Sequence, residues 1–178
     1  MNIHGGDVYR NYVDIDFSIN VNPLGTPECV KEALHRAVEM CGKYPDMEAE
    51  RLGAAVSTFL GVPKEYLLFG NGASELFMAI VHGIKPKKVV IPVPSFYGYE
   101  YAAKSVDSDI IYYEMKQENN FCLKEEMKRI LTDDVNLLFL ANPNNPIGNL
   151  LDKELMKELI LHCKDKGIYV VVDECFIE

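Results

Sequence analysis

The chain of 178 residues is 48% hydrophobic and 25% charged, and its 18 basic and 27 acidic residues give a net charge of −9. A length in the ~100 to 200 range fits one domain, or a domain with an appended arm, and supports a core without disulfides or metals. This composition excludes whole-chain disorder and coiled coil, and the negative charge leaves no basic footprint for nucleic acid. No apolar run approaches the ~18 residues of a membrane span, and the start lacks a basic flank before an apolar stretch, so a cytoplasmic protein without membrane association is expected. Cys29, Cys41, Cys122, Cys163 and Cys175 are odd in number and scattered, without a Cys-x-x-Cys pair. They read as reduced, mostly structural thiols rather than a disulfide framework or a metal site.

Residues 1–25 read as an arm whose apolar, Asn-rich stretch 14–24 closes on the turn Asn22-Pro23-Leu24-Gly25. The main domain is then 26–178. Thr26 stands as an N-cap before Pro27 and Glu28, and Val30, Ala33, Leu34, Ala37, Val38 and Cys41 recur at helical spacing until Gly42. A second helix is predicted over 46–60, with Leu52, Ala55, Val56, Phe59 and Leu60 inward and Gly61 as its stop. From residue 66 the rhythm becomes short apolar runs between helical stretches, which is the pattern of a doubly wound sheet. Strands are predicted at 66–69, 88–91, 109–113, 135–141 and 169–172, and helices at 74–83, 97–105, 123–131 and 152–166. Continuous runs such as Val170-Val171-Val172 suit strands buried on both faces, so the fold class is α/β, a three-layer α/β/α domain with a mostly parallel sheet.

Ligands of such sheets bind beyond the carboxyl ends of the strands. After the first predicted strand comes Gly70-Asn71-Gly72-Ala73-Ser74-Glu75, where a helix start offers backbone N–H groups to a phosphate; a ligand-free tight turn has the same sequence features. The dinucleotide fingerprint fails, because Glu75 stands where its third glycine belongs and Ile91-Pro92-Val93 replaces its acidic residue; the nucleotide-hydrolysing phosphate loop is absent too. After the second strand, Pro92-Val93-Pro94-Ser95-Phe96-Tyr97-Gly98-Tyr99 offers rings that either stack on a flat cofactor or belong to core and rim. Asn142-Pro143-Asn144-Asn145-Pro146-Ile147-Gly148 is more constrained than a simple connection requires. Asp173-Glu174 closes the last strand, where a carboxylate needs a cation, a metal or several donors, unless it is a plain cap.

Together these segments resemble the fold-type I pyridoxal phosphate enzymes of the class I/II aminotransferase group, in its histidinol-phosphate aminotransferase and threonine-phosphate decarboxylase branch. The most specific element is Asn-Pro-Asn-Asn-Pro-Ile-Gly followed, after an apolar strand, by Asp-Glu; His4-Gly5-Gly6-Asp7 and 16–25 are more similar to the decarboxylases. The resemblance implies a pyridoxal phosphate cofactor, a small amino-acid substrate and a homodimer. It assigns Gly72, Ala73 and Ser74 to the cofactor phosphate, Phe96 to stacking on the ring, Asn145 to its phenolic oxygen and Asp173 to its protonated nitrogen. It makes Tyr44 an aromatic reaching the phosphate of the other subunit, and sets His4 and Asn22 near the substrate.

Phe176 departs from the family, which commonly has Tyr there. The Schiff-base lysine and the substrate-gripping arginines lie further along the family's chain, and no lysine here stands in a matching context. The resemblance thus implies the amino-terminal half of such an enzyme, an incomplete large domain inactive by itself. It also implies the sheet order 3-2-4-5-6-7-1, in which the first strand lacks its neighbour. Transamination and decarboxylation both fit this half. A non-catalytic α/β binding or interaction module is the alternative, and the reading frame beyond Glu178 discriminates between them.

Overall fold

The computed structural model describes residues 5–177, and the chain divides into two compact units, Met1–Leu67 and Leu68–Glu178. In the first unit the two arm segments meet. The Gly6 N–H donates to Ser18 Oγ at 2.8 Å, and a Cβ on Gly5 would lie 2.2 Å from the Ser18 carbonyl oxygen. Only glycine permits that approach. Ser18 donates through its N–H and its hydroxyl to Asp16 Oδ1, at 2.7 and 2.5 Å. These bonds hold the Asp16 carboxyl below its ordinary value.

Helix α1 (Glu28–Val38) starts after Pro27 without a side-chain cap, so Thr26 is not the cap that its position suggests. Its expected last turn to Cys41 becomes separate turn bonds, Met40 N–H to Ala37 O and Cys41 N–H to Val38 O. Helix α2 (Glu50–Leu60) begins four residues later than expected. The Asp46 carboxylate explains the delay, because it accepts from the Glu48 N–H at 3.1 Å and the Glu50 N–H at 2.8 Å and holds 46–49 as a loop. Gly61 ends α2 in the left-handed region, as expected. Leu52, Phe59 and Leu60, expected inward, are exposed, and only Gly53 of α2 is buried.

The strand expected at 66–69 does not form. Lys64–Tyr66 is a 3-10 turn followed by extended backbone, and among the described residues nothing pairs with it in a ladder. An apolar run needs a neighbour's N–H and C=O groups to become a strand.

In the second unit, helix α3 (Ala73–Ile84) leads into β1 (Lys88–Val93), α4 (Gly98–Lys104), β2 (Asp109–Glu114), β3 (Leu137–Ala141), α5 (Lys153–Asp165) and β4 (Tyr169–Asp173). The four strands are parallel in the order β2-β1-β3-β4, which is the 3-2-4-5 run of predicted strands. Alternation along the strands sorts the core into two layers. Val89, Ile91, Leu137, Phe139 and Ala141 pack against Phe77 and Val81 of α3 and Tyr99, Ala102 and Ala103 of α4. Val90, Leu138 and Leu140 pack against Met127, Leu131, and Leu159 and Cys163 of α5 on the opposite face. This is the expected three-layer α/β/α arrangement.

Helix α5 is capped by Asp152, whose carboxylate accepts from the Leu155 N–H at 2.8 Å. The helix expected at 123–131 is instead a 3-10 segment, Glu125–Ile130. So short a segment gains little from α-helical propagation, and its tighter turns still bring Leu123, Met127 and Leu131 into the core.

Candidate active site

The register of β3 and β4 sets the site. Ala141 pairs with Asp173, so the last residue of β4 lies level with the start of the asparagine loop. The Asn142 N–H donates to the Asp173 carbonyl at 2.8 Å, and Asn142 Oδ1 accepts from the Leu151 N–H at 2.9 Å. Asn144 Nδ2 donates to the Pro94 carbonyl at 3.2 Å, and its Oδ1 accepts from the Ile147 N–H. Both side chains are buried, and these bonds hold the loop to β4 and to the segment after β1. Asn145 follows directly, and among the described residues its side chain makes no hydrogen bond.

Asp173 has a donor on each carboxylate oxygen. The Tyr99 hydroxyl donates to Oδ2 at 2.6 Å, and the Cys175 N–H donates to Oδ1 at 3.0 Å. The Tyr99 ring is fully buried, stacked on Phe139 at 5.0 Å and 11°, with Phe77 and Phe96 meeting it edge-on. Burial first, and then the Asp173 carboxylate, raise its phenol far above the ordinary value. The Cys175 thiol is likewise pushed up to about 11, by burial first and then by Asp173.

Phe96 is half-buried and lies against Gly98, on which a Cβ would come within 2.3 Å of the ring. Its ring also meets Tyr97 edge-on at 4.8 Å.

The start of α3 supplies uncommitted donors. Gly72 holds the N-cap position at φ +79°, a region that favours glycine. Glu75 turns back, accepting from the Asn71 N–H and, at 3.2 Å, from Asn71 Nδ2. The first N–H groups of a helix have no partner inside it, which leaves those of Ala73 and Ser74 beside the exposed Ser74 hydroxyl. Phe77, one turn on, packs edge-on against Tyr99 at 5.1 Å. Thus α3, Phe96, Tyr99 and Asp173 belong to one packed group.

The other expected residues belong to the first unit. The Asn22 side chain accepts from the Leu24 N–H at 3.0 Å and so closes its own turn. Tyr44 is fully exposed in the first unit, and His4 lies outside the described residues. The sequence left Tyr99 open between a ring stacking on a flat cofactor and a core or rim aromatic; the signal for its role was a tyrosine rather than phenylalanine at a buried position, where the hydroxyl needs a partner. A separate cavity of about 270 Å³ borders the asparagine loop and is lined by Met115, Phe121, Leu123, Leu150 and Leu151 among others. Among the described residues no group of three or more His, Cys, Asp and Glu side chains converges as a metal site, and no helix is long and apolar enough to cross a membrane.

A four-stranded parallel sheet flanked by helices on both faces defines an α/β domain of the doubly wound class. Residues 13–178 match the model of the family "Aminotransferase class I and II", and the chain belongs to that family. It is 34% identical over 164 residues to the threonine-phosphate decarboxylase of Salmonella typhimurium, covering 92% of this chain and 45% of that protein. It is 32% identical over 166 residues to histidinol-phosphate aminotransferase 1 of Cupriavidus pinatubonensis, covering 92% and 43%. The crystal structure of the histidinol-phosphate aminotransferase from Clostridium acetobutylicum superposes with a TM-score of 0.78 at 30% identity, over 91% of this chain and 47% of that one.

The chain spans about half the length of the curated relatives it matches. The family depends on pyridoxal phosphate, and the donor set fits that group: an anion for a cationic ring nitrogen, an aromatic face, a free amide, and helix-start N–H groups for a phosphate.

Proposed function

We propose that the whole protein containing these residues is a pyridoxal phosphate enzyme acting on an amino acid. Its substrate is a phosphorylated amino acid, handled either by transamination of the histidinol-phosphate type or by decarboxylation of threonine phosphate. The observation that carries this reading is the Asp173 carboxylate, supported on both oxygens at the end of β4.

Bound pyridoxal phosphate supplies an electron sink for the charge left at the substrate's α-carbon. Asp173 holds the proton on the ring nitrogen, since an adjacent carboxylate favours the charged form of a base. Phe96 covers one face of the ring and keeps water from it, and Asn145 donates to the phenolic oxygen. The N–H groups of Ala73 and Ser74, with the Ser74 hydroxyl, bind the phosphate, and Gly72, whose own N–H donates to the Gly70 carbonyl, lets the backbone approach it closely.

Tyr44 completes the phosphate site of a second subunit in a homodimer, and His4 and Asn22 face the substrate. Residues 1–25 act as an arm, and 26–178 form part of the cofactor-binding domain. By themselves these residues are inactive, because none of their lysines is assigned to the covalent anchor. The enzyme works in the cytoplasm.

The test is to express the whole protein, record the visible absorbance of bound cofactor, and supply threonine phosphate while assaying carbon dioxide against keto-acid. Carbon dioxide release supports the decarboxylase, and keto-acid supports the aminotransferase. Absence of cofactor binding refutes the reading and favours the non-catalytic module.

A further inference from the structure

We propose that Tyr99 is a positioning residue for Asp173, a clamp from the helix layer that fixes the carboxylate opposite the cofactor ring. The inference rests on the functional reading above and deepens it. The Tyr99 ring has little freedom: it is 1% exposed, stacked on Phe139 of β3, with Phe77 edge-on at 5.1 Å and Phe96 edge-on at 5.8 Å. Its hydroxyl therefore comes to a fixed point, 2.6 Å from Asp173 Oδ2. Because burial keeps the phenol protonated, that point is always a donor.

The opposite oxygen is held by the Cys175 N–H. One oxygen is thus fixed by the main chain after β4 and the other by a side chain 74 residues earlier, from α4. A carboxylate on a strand end has two rotatable bonds, and two donors from separate elements stop both. The remaining lone pairs are then presented in one orientation to a ring N–H, which needs near-linear geometry. The same stretch, 96–99, carries the stacking ring and the clamp, so one rigid segment sets the ring's face and the direction of its nitrogen partner.

The experiment uses the whole protein loaded with pyridoxal phosphate. Tyr99→Phe deletes the hydroxyl and keeps every ring contact. Losing a hydrogen bond to a charged group should lower kcat roughly ten- to hundredfold and weaken cofactor retention by less than about tenfold. kcat should fall while KM for the amino acid stays within about twofold. The pH dependence of the bound cofactor's absorbance should move, which loss of packing alone does not produce. In an Asp173→Asn background, Tyr99→Phe should add nothing to these changes.

If retention, kcat and the absorbance-against-pH profile all match the wild type, the proposal is overturned. It is also overturned if Tyr99→Phe has its full effect in the Asp173→Asn background. Should Tyr99→Phe not fold, a fluorinated tyrosine at 99 keeps the shape and changes only the strength of the O–H donor; an unmoved pH profile then refutes the clamp. A wild-type protein that binds no cofactor sinks the functional reading itself, and a wild type that binds with an indifferent variant sinks only the role of Tyr99.

Discussion

Gly98→Ala separates the stability of the domain from the geometry of its site. A Cβ at Gly98 would stand 2.3 Å from Phe96 Cε1, 2.9 Å from Cδ1 and 3.1 Å from Cζ. Carbon atoms settle at about 3.5–4.0 Å, so the ring must withdraw by more than about 1 Å. Phe96 is half-buried and able to move outward, which keeps the cost below the ~1–3 kcal/mol of overpacking a closed core. Alanine also has the better helix propensity, by up to about 1 kcal/mol, at this first residue of α4. The net change in stability should therefore stay within about 1 kcal/mol of the wild type.

The site fares worse. An aromatic contact contributes about 0.5–1.5 kcal/mol, so displacing the ring should weaken cofactor retention by up to about tenfold. A misplacement near 1 Å should lower kcat further, toward 100-fold. Urea denaturation, cofactor dissociation followed by absorbance, and steady-state rates on the whole protein give the three quantities. Gly83→Ala is the control, since its Cβ meets nothing within 4 Å. Retention and rate within twofold of the wild type, or a loss of stability above about 3 kcal/mol, would refute this account of Phe96.

Asp173→Asn should lower kcat by at least about 100-fold while cofactor retention changes by less than about tenfold; equal losses of both would count against a role at the ring nitrogen. Asn136 Oδ1 accepts from the Lys87 and Lys88 N–H groups at 2.9 and 3.0 Å. Asn136→Ala should therefore cost about 1–3 kcal/mol in urea denaturation, and an unchanged midpoint would mean that water replaces both bonds. The Cys175 thiol, pushed up to about 11, should alkylate slowly at about pH 8 and speed up about tenfold per pH unit until near that value. Mass spectrometry of the labelled peptide follows it. Asp173→Asn should bring the midpoint down, because a negative neighbour that disfavours the thiolate is gone; a wild-type plateau by about pH 9 contradicts the reading.

Periodicity and punctuation in the sequence marked four of the five predicted strands. Alternation of Val89 and Ile91 with Val90, and of Leu137 and Phe139 with Leu138 and Leu140, suits strands that face two helix layers, and the domain has both layers. Strand-end residues and the family pattern singled out Phe96, Asn145 and Asp173. Periodicity reports which way a residue faces and says nothing of which group completes it. The run 66–69 has strand composition but no ladder partner, and the apolar stripe of α2 stays exposed.

Tertiary structure alone decided the rest. Asn142 and Asn144 became fixings, while the Asn145 side chain stayed unbonded among the described residues, because the loop meets the ends of β4 and β1. Gly5 is fixed as glycine by a backbone thirteen positions later in the chain. Tyr99 became the partner of Asp173, 74 residues away, because α4 and β4 lie against the same core. A hydrogen bond of that range depends on where the sheet brings two elements together, and no local pattern encodes it.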